Sequence, residues 1–344
     1  MKRMLILLTI VLLSVGTLFA EEAVLIDFST LTADIMANDD DKPTQNRATI
    51  MDYGMVAGAS FTEEQKSVMK TSLAITNWNV NLASSSRFVD NMIRTYTAEA
   101  PSKQYGTVMG VRIHFPVEPF NSWATIRPPF EIPAYEPLAD VDDDGNISES
   151  DNSDGITSAS RFEARDGNPA YGVVKNVGTI KSIQVRAYGL NFPHGLFTSI
   201  IDSRGLEKEV FMGYLAFDGW ADLRWDNPAY IQEVRNRELR LYPLYPTSTP
   251  FIKFAGFRVA RDAAKEGGDF VGYFKDVKVI YDKAVLDTER DIDDEALWNI
   301  IQTRETARKI WEMERFGHDQ VLRYLESEKR ATENTFTPSP TTDQ

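Results

Sequence analysis

The feature that most constrains this chain is an alternation of apolar and polar residues with a period of two. The alternating runs include residues 74–82, 111–117, 182–187 and 277–281. This period places successive side chains on opposite faces of a strand, and one buried face with one wet face is typical of antiparallel sheets. Turn-forming clusters such as residues 166–169 separate the runs. The pattern therefore predicts a mainly β fold, a jelly-roll or galactose-binding-like β-sandwich with long loops.

The first and last strong strand patterns lie near the two ends of the predicted sandwich. Residues 24–28 read VLIDF and residues 277–282 read VKVIYD. By analogy with sugar-binding jelly rolls, we expect these two strands to pair in one sheet. The sandwich domain is predicted to cover residues 21–287.

Residues 1–20 are predicted to be a secretory signal peptide. Lys2 and Arg3 precede an apolar run from Met4 to Ala20, as in such leaders. We expect cleavage after Ala20, although Leu18 is larger than the small residue usual at that position. The run is shorter than the roughly 20 residues that cross a bilayer. The mature chain is therefore expected to be exported and to contain no membrane span.

The mature chain is predicted to be strongly acidic and to lack thiols. Without the two basic residues of the leader, the 37 Lys and Arg of the whole sequence become 35, against 51 Asp and Glu. Nucleic acid and anionic membrane surfaces both require a basic footprint, so neither is an expected partner. The sequence has no cysteine, which excludes disulfides, thiolate metal sites and a thiol nucleophile.

A helical segment is predicted over residues 288–330, followed by a disordered tail at 331–344. The apolar residues of its first part lie mainly at helical spacing: Leu297, Ile300, Ile301, Ala307, Ile310 and Trp311. Gly317 is expected to interrupt the helix before the stripe resumes at Val321, Leu322 and Leu325. Such a stripe is more often ordinary core, which is the interpretation we favour. The alternative is a helix that docks on a neighbouring subunit, because the stripe lies beyond the last predicted strand.

An acidic insertion near residues 136–158 contains a candidate calcium loop. Oxygen ligands at alternate positions can wrap Ca²⁺, and Gly145 allows the sharp turn that an EF-hand loop needs. The candidate ligands are Asp140, Asp142, Asp144, Asn146, Ser148 and Asp151. Asp151 is shorter than the usual bidentate Glu, and the prolines at 128–137 exclude an entering helix. A solvated acidic turn is therefore the favoured interpretation, and bound Ca²⁺ would at most make the loop more rigid.

The residues that could carry catalysis form no recognisable motif. The three histidines, His114, His194 and His318, do not lie at metal-ligand spacing, and no nucleophile elbow or phosphate loop is present. We therefore predict that the chain is not an enzyme, with a hydrolase that uses a distant carboxylate pair as the weakest alternative. Trp220 and Trp225 are predicted to be buried; exposed, their rings would stack on sugars.

Four segments carry a resemblance to a known family. Residues 217–228 read FDGWADLRWDNP, 254–262 read FAGFRVARD, 267–282 read GGDFVGYFKDVKVIYD and 76–80 read TNWNV. Together with a mature start at Glu21, these segments resemble the spirochaete flagellar filament outer layer (sheath) proteins. The likeness covers nearly the whole mature chain.

The resemblance implies a periplasmic structural protein that coats a flagellin core filament. Its implied partners are flagellins, other sheath subunits and further copies of itself in a helical assembly. It implies no enzyme activity and no required cofactor. It also implies that the protein contributes to the stiffness and shape of the filament and to motility. The residues alone also allow a different function, a secreted carbohydrate-binding module stabilised by calcium, because the jelly-roll pattern, the tryptophans and the acidic loop would all suit one.

Overall fold

The computed structural model describes residues 21–36, 42–54, 60–136, 139–149, 160–164, 169–230, 248–285 and 291–334. The predicted signal peptide, residues 335–344 of the predicted tail and Asp151 lie outside the described residues. Within them the strands are β1 (Glu21–Asp27), β2 (Ile35–Met36), β3 (Pro43–Gln45), β4 (Met51–Asp52), β5 (Lys70–Thr71), β6 (Asn79–Leu82), β7 (Tyr96–Ser102), β8 (Gly106–Phe115), β9 (Ser122–Arg127), β10 (Ala139–Val141), β11 (Ile147–Glu149), β12 (Val173–Lys175), β13 (Val177–Leu190), β14 (Gly195–Asp202), β15 (Glu207–Tyr214), β16 (Asp218–Asp226), β17 (Phe251–Arg261) and β18 (Gly268–Lys283).

The described α-helices are α1 (Glu63–Ser67), α2 (Val89–Ile93), α3 (Asp294–Trp298) and α4 (Ile300–Asn334). Short 3-10 helices occur at Phe28–Thr30, Arg47–Thr49, Ile75–Asn77 and Ser84–Ser86. Among the described helices, none is long and apolar enough to cross a membrane.

The first sheet has six strands in the order β16-β13-β18-β8-β7, with β1 added beside β18. Its alternation follows the sequence pattern, because Ile183, Val185 and Ala187 are fully buried while Gln184 and Arg186 between them are half-buried. The 16-residue strand β18 is long enough to pair with β8 along its first part and with β1 along its second.

The predicted pairing of the first and last strands is confirmed. β1 runs antiparallel to β18, with Glu21 opposite Tyr281 and Val24 opposite Lys278. The ladder is reinforced by an ion pair between Lys278 Nζ and Glu22 Oε1 at 2.7 Å. The first sheet is therefore completed by residues from the two ends of the sandwich sequence.

The second sheet has the order β15-β14-β17-β9-β6, with β12 added beside β17. The two sheets enclose a core of aliphatic side chains and aromatic rings. Phe257 of the second sheet stacks on Phe274 of the first with ring centroids 4.6 Å apart, and Phe254 and Phe28 surround Phe257. The predicted mainly β sandwich is confirmed.

Two strand predictions extended too far. Residues 74–78 are not strand but form a connection through the 3-10 helix Ile75–Asn77. Hydrogen bonds from side chains to the backbone stabilise this connection, and in one of them Trp78 Nε1 donates to the carbonyl of Leu73 at 3.0 Å. Val117 is exposed, because β8 ends at Phe115. The next residue, Pro116, has no amide hydrogen for the ladder.

The C-terminal helices break at a different residue from the one predicted. Asn299 adopts a left-handed conformation with φ of 50° between α3 and α4. Gly317 lies inside the uninterrupted helix α4 and is buried. The prediction that Gly317 interrupts the helix is wrong, because one glycine weakens a helix by only about 1 kcal/mol. Helix α4 also continues to Asn334, past the predicted boundary at 330.

Candidate assembly surface

Helix α4 contacts the sandwich through a buried network of charges. Glu312 of α4 and Lys253 of β17 are each only 2% exposed. Lys253 Nζ lies 2.7 Å from Glu312 Oε1 and 2.6 Å from Glu131 Oε1. Arg315, one turn further along α4, donates to Glu131 as well. These four residues, the ion network, join the helix to β17 and to the segment that follows β9.

The ion network has the extra hydrogen bonds that buried charges need. The backbone N–H of Ala134 donates to Glu312 Oε1 at 3.1 Å. Burial raises the pKa of Glu131, but Lys253 and then Arg315 outweigh it and hold that pKa below its ordinary value. Glu131 therefore remains a carboxylate at neutral pH and keeps both cations in place.

The rest of the inner face of α4 is also mainly polar. The Thr249 hydroxyl donates to Glu305 at 2.8 Å, and Arg323 Nη1 donates to the carbonyl of Pro129 at 3.3 Å. Phe316 provides an apolar contact, edge-to-face with Phe130 at 6.0 Å between ring centroids. The helix is thus attached to the sandwich largely by hydrogen bonds and ion pairs.

The outer face of α4 carries the apolar stripe. Ile310, Trp311, Leu322 and Leu325 are between 46% and 56% exposed, and Leu297 and Trp298 of α3 are more exposed still. Trp311 and Leu322 are about three helical turns apart and so lie on the same side of α4. The favoured prediction of an ordinary core stripe is wrong for these residues, because the ion network turns the polar side of the helix inward. The alternative, a helix that presents its apolar side to another subunit, fits the structure.

The candidate calcium ligands within the described residues lie on a β-hairpin. Strands β10 and β11 pair Asp140 with Ser148, and residues 142–146 form the turn. The Asp142 carboxylate accepts from the side-chain amide and the backbone N–H of Asn146, at 2.9 and 2.7 Å, and these bonds hold the pKa of Asp142 below its ordinary value. Gly145 has φ of 82°, the turn conformation that its position requires.

Asp151, the last of the candidate ligands, lies outside the described residues. Within the described ranges, no three acidic or histidine side chains come together as a metal site. Asp143 instead faces Arg47, with 3.6 Å between Nη2 and Oδ1. Calcium binding therefore stays a prediction, for which calorimetric titration should give saturable heat with the wild-type chain and none with Asp142→Ala.

The three histidines have separate environments. His194 is buried among aromatic rings, stacked on Phe115 at 5.1 Å and beside Phe270 at the same distance. His114 Nδ1 lies 2.7 Å from Asp269 Oδ1 on the first sheet, and His318 is exposed on α4. His194 therefore has a packing role, whereas His114 and His318 lie outside the core.

The tryptophans predicted to be buried are half-buried. Trp220 lies on the outer face of the first sheet, edge-to-face with Tyr105 and Tyr188 at 4.9 and 5.3 Å, whereas Trp225 packs against the core. No motif in the sequence pointed to Trp123, Phe211 and Tyr214, which are exposed on the outer face of the second sheet. Only the strand register brings these three together.

The comparisons with known proteins agree on one family. The model of the flagellar filament outer layer protein family matches residues 42–290. A flagellar filament outer layer protein of Treponema pallidum (strain Nichols) is 51% identical over 345 residues, which is 98% of this chain and 97% of that protein. One from Spirochaeta aurantia is 45% identical over 324 residues, 92% of this chain and 90% of that protein.

A solved carbohydrate-binding module in complex with β-1,4-galactotriose also aligns with this chain. The TM-score is 0.26 and the identity 9%, over 60% of this chain and 88% of the module. A superposition this loose carries no argument about ligands.

Proposed function

The chain belongs to the family of flagellar filament outer layer proteins, and on this premise we propose that it is a structural subunit of the sheath around the periplasmic flagellar filament. Its partners are then the flagellins of the core, other sheath subunits and further copies of itself in a helical assembly. Its function is to coat the core and to contribute to the stiffness and shape of the filament, and hence to motility. It acts without catalysis and requires no cofactor.

The periplasmic location is supported by the start of the sequence. Residues 1–20 have the pattern of an export leader. An acidic chain without cysteines, with a formal net charge of −14, is suited to an assembly that holds together without disulfides. Detection of the cleaved chain in isolated periplasmic flagella would support this location, and its presence only in the cytoplasm would contradict it.

The observation that carries the proposal is the apolar outer face of α4. Contiguous exposed apolar side chains mark interaction sites on soluble proteins. Burying apolar surface contributes about 25 cal/mol per Å², so a contact over Trp311 and its neighbours would hold a subunit on the filament. Because the ion network already attaches α4 to the sandwich, the outer face is left available for a second protein. An amphipathic helix docking in a groove is a common way to use such a face.

Co-sedimentation with isolated filaments tests this surface. Wild-type chain should sediment with flagellin at a fixed ratio. The double variant Trp311→Ser/Leu322→Ser should lose filament affinity by roughly tenfold or more, since each buried apolar side chain contributes about 1.5–3 kcal/mol. Glu314→Gln is the matched control, because Glu314 is exposed on the same side of α4. Equal binding by all three proteins would exclude α4 as the docking surface, and a wild-type chain never found on filaments would overturn the proposed function.

The mechanical part of the proposal has its own test. Filaments from cells that lack the chain should be thinner and bend more easily, because a layer at the outside of a rod contributes strongly to its stiffness. Electron microscopy gives the diameter, and the persistence length of isolated filaments gives the stiffness. Unchanged diameter and persistence length would contradict a load-carrying sheath.

The alternative function, carbohydrate binding, rested on the jelly-roll pattern, the acidic loop and tryptophans that could stack on sugars. Trp220 is instead packed against two tyrosines. Glycan-array binding that Trp220→Ala abolishes would favour that function over the sheath.

A further inference from the structure

An aromatic patch lies open on the outer face of the second sheet. Strand register places Trp123, Ala260, Gly195 and Tyr214 in one row across β9, β17, β14 and β15. Phe197 and Phe211 lie opposite each other in the next row, with ring centroids 5.0 Å apart. Because Ala260 and Gly195 contribute almost no side chain, the rings border a shallow trough of about 590 Å³. The second-sheet patch is Trp123, Phe197, Phe211 and Tyr214.

Three of the four rings of this patch are exposed. Tyr214 is 64% exposed, and Trp123 and Phe211 are each 41% exposed. Helix α4 covers Lys253 at the other end of β17, but no described residue of the chain covers these three rings. A patch of this kind costs solubility unless another surface covers it.

A second, different patch lies on the outer face of the first sheet. Strand register aligns Trp220, Tyr188 and Tyr273 across β16, β13 and β18, and Tyr105 joins them, with neighbouring ring centroids 4.9–5.9 Å apart. All four rings are half-buried and form a nearly continuous aromatic surface. The first-sheet patch is Tyr105, Tyr188, Trp220 and Tyr273.

The two patches lie back to back at one end of the sandwich. Short connections at 116–121, 191–194, 215–217 and 262–267 pass from one sheet to the other beside the patch residues. The outer faces of a sandwich point in opposite directions. A copy placed above another in the same orientation therefore brings the first-sheet patch of one against the second-sheet patch of the next.

Both patches are locally neutral on a chain with a formal net charge of −14. In the first-sheet patch, Arg186 pairs with Asp222 at 2.7 Å. In the second-sheet patch, Arg258 stacks over Phe197 at 3.9 Å and pairs with Glu209, with 2.8 Å between Nη2 and Oε2. Because the charged side chains beside the rings are paired, two acidic copies repel each other little at these faces.

We propose that copies of this chain bind one another by packing the first-sheet patch of one copy on the second-sheet patch of the next. The inference rests on the proposed function and names a second copy as the partner on this face. The two surfaces are different, so the contact is heterologous and an unlimited series of copies can form. Aromatic rings at the centre of such a contact would supply most of its affinity.

Introduced cysteines test the contact, because the chain contains none of its own. Copies that carry only Tyr214→Cys are mixed with copies that carry only Trp220→Cys and treated with a short bis-maleimide, both as purified chain and on isolated filaments. Linked pairs should form in the mixture at least tenfold faster than in a control mixture of Tyr214→Cys with Ser67→Cys, since Ser67 is exposed on α1, away from both patches. Copies with both Tyr214→Cys and Trp220→Cys should give a ladder of multimers.

Two results would overturn the proposal. In the first, Tyr214→Cys copies link to each other as efficiently as they link to Trp220→Cys copies, which would indicate a closed, symmetric contact. The other is linkage no faster than in the control, in solution and on filaments alike. Sedimentation velocity gives an independent readout: Trp123→Ser/Tyr214→Ser should weaken self-association at least tenfold with an unchanged circular dichroism spectrum, and unchanged self-association would also overturn it.

The two proposals fail in different ways. If wild-type chain sediments with filaments but shows no linkage between copies, the stacking contact is wrong and the sheath function stands. If copies link in solution but never bind filaments, the sheath function is wrong and the contact between copies stands.

Discussion

In the sandwich, Phe257 and Phe274 stack at the centre of a large cluster of buried apolar side chains. In α4, Glu312 is buried against Lys253 while Trp311, its neighbour in sequence, faces outward. The two regions therefore bury opposite kinds of side chain. Burial of apolar surface stabilises the sandwich, whereas a few paired charges attach the helix to it.

This difference separates folding from assembly. Hydrophobic burial is non-directional and grows with area, so the sandwich core secures the fold through many contacts. A buried ion pair contributes little net stability but strongly disfavours wrong arrangements of its partners. The ion network thus fixes which side of α4 faces the sandwich and leaves the apolar side for a second protein.

The largest expected effect is the loss of a core ring. Phe257→Ala should lower the free energy of unfolding by about 3–5 kcal/mol, because it removes a fully enclosed aromatic side chain and leaves a cavity. Urea unfolding followed by fluorescence measures the change. Phe211→Ala is the matched control, since Phe211 is a ring of the same size that is 41% exposed. A similar loss of unfolding free energy for both variants would contradict the view that buried core rings stabilise the sandwich.

Removing one charge of the ion network should release α4 while the sandwich stays folded. Lys253→Met leaves Glu312 buried without its cation, a change that costs about 3 kcal/mol or more. Hydrogen exchange of the α4 amides should accelerate, and exchange in β13 and β18 should not. The double variant Lys253→Met/Glu312→Leu should restore much of the protection, because it removes both charges. Slow exchange throughout α4 in Lys253→Met would show that the apolar contacts alone hold the helix.

The sandwich should lose stability in acid through one buried histidine. Burial, followed by the nearby charge of Arg261, lowers the pKa of His194 to about 4. Because this pKa lies below the ordinary value of about 6.5, the stability that neutral His194 provides is complete above pH 6.5 and is lost as the pH falls towards 4. One pKa unit corresponds to about 1.4 kcal/mol, so the loss should be roughly 2–3 kcal/mol.

The variant His194→Phe should remove this part of the pH dependence and keep the ring packing. The measurement is the free energy of unfolding at pH 7 and pH 4.5, and His318→Phe on exposed α4 is the control. If the wild type and His194→Phe lose the same stability between the two pH values, His194 is not the responsible group.

The smallest expected effect is on the outer face of α4. Trp311→Ala should change the free energy of unfolding by no more than about 0.5 kcal/mol, as is usual for surface positions. The same urea titration measures it, beside the filament-binding assay for the same variant. A loss comparable to that of Phe257→Ala would mean that Trp311 supports the fold and is not free for assembly.

The strands of the sandwich were largely predictable because alternation is visible within a few consecutive residues. Alternation in residues 182–187 and 277–281 identified strands whose predicted core-facing residues are buried in the structure. The 3-10 helix at Ile75–Asn77 was not predictable from alternation, because bonds from Asn77 and Trp78 side chains to backbone carbonyls override the strand. Such bonds depend on which carbonyls the fold brings near.

The assembly surfaces were less predictable because their determinants are distant in sequence. The apolar stripe of α4 was visible, but its direction depends on Lys253, 59 residues before Glu312. The second-sheet patch adds a ring of β9 to rings of β14 and β15, and β9 is joined to those two strands only through β17. Phe197, Phe211 and Tyr214 are close in sequence, but Trp123 lies 88 residues before Phe211.

The pairing of β1 with β18 has a consequence for the order of events in a cell. A chain is made from its N-terminus, so the segment that begins at Glu21 emerges long before its partner at Tyr281 exists. Until then the backbone groups of β1 that β18 will satisfy have no ladder partner, and an unpaired strand edge invites other chains to pair with it. A chain cut short before residue 277 would keep that edge permanently open. Only a chain that extends through β18 pairs this edge of β1, so a truncated subunit would be prone to aggregation.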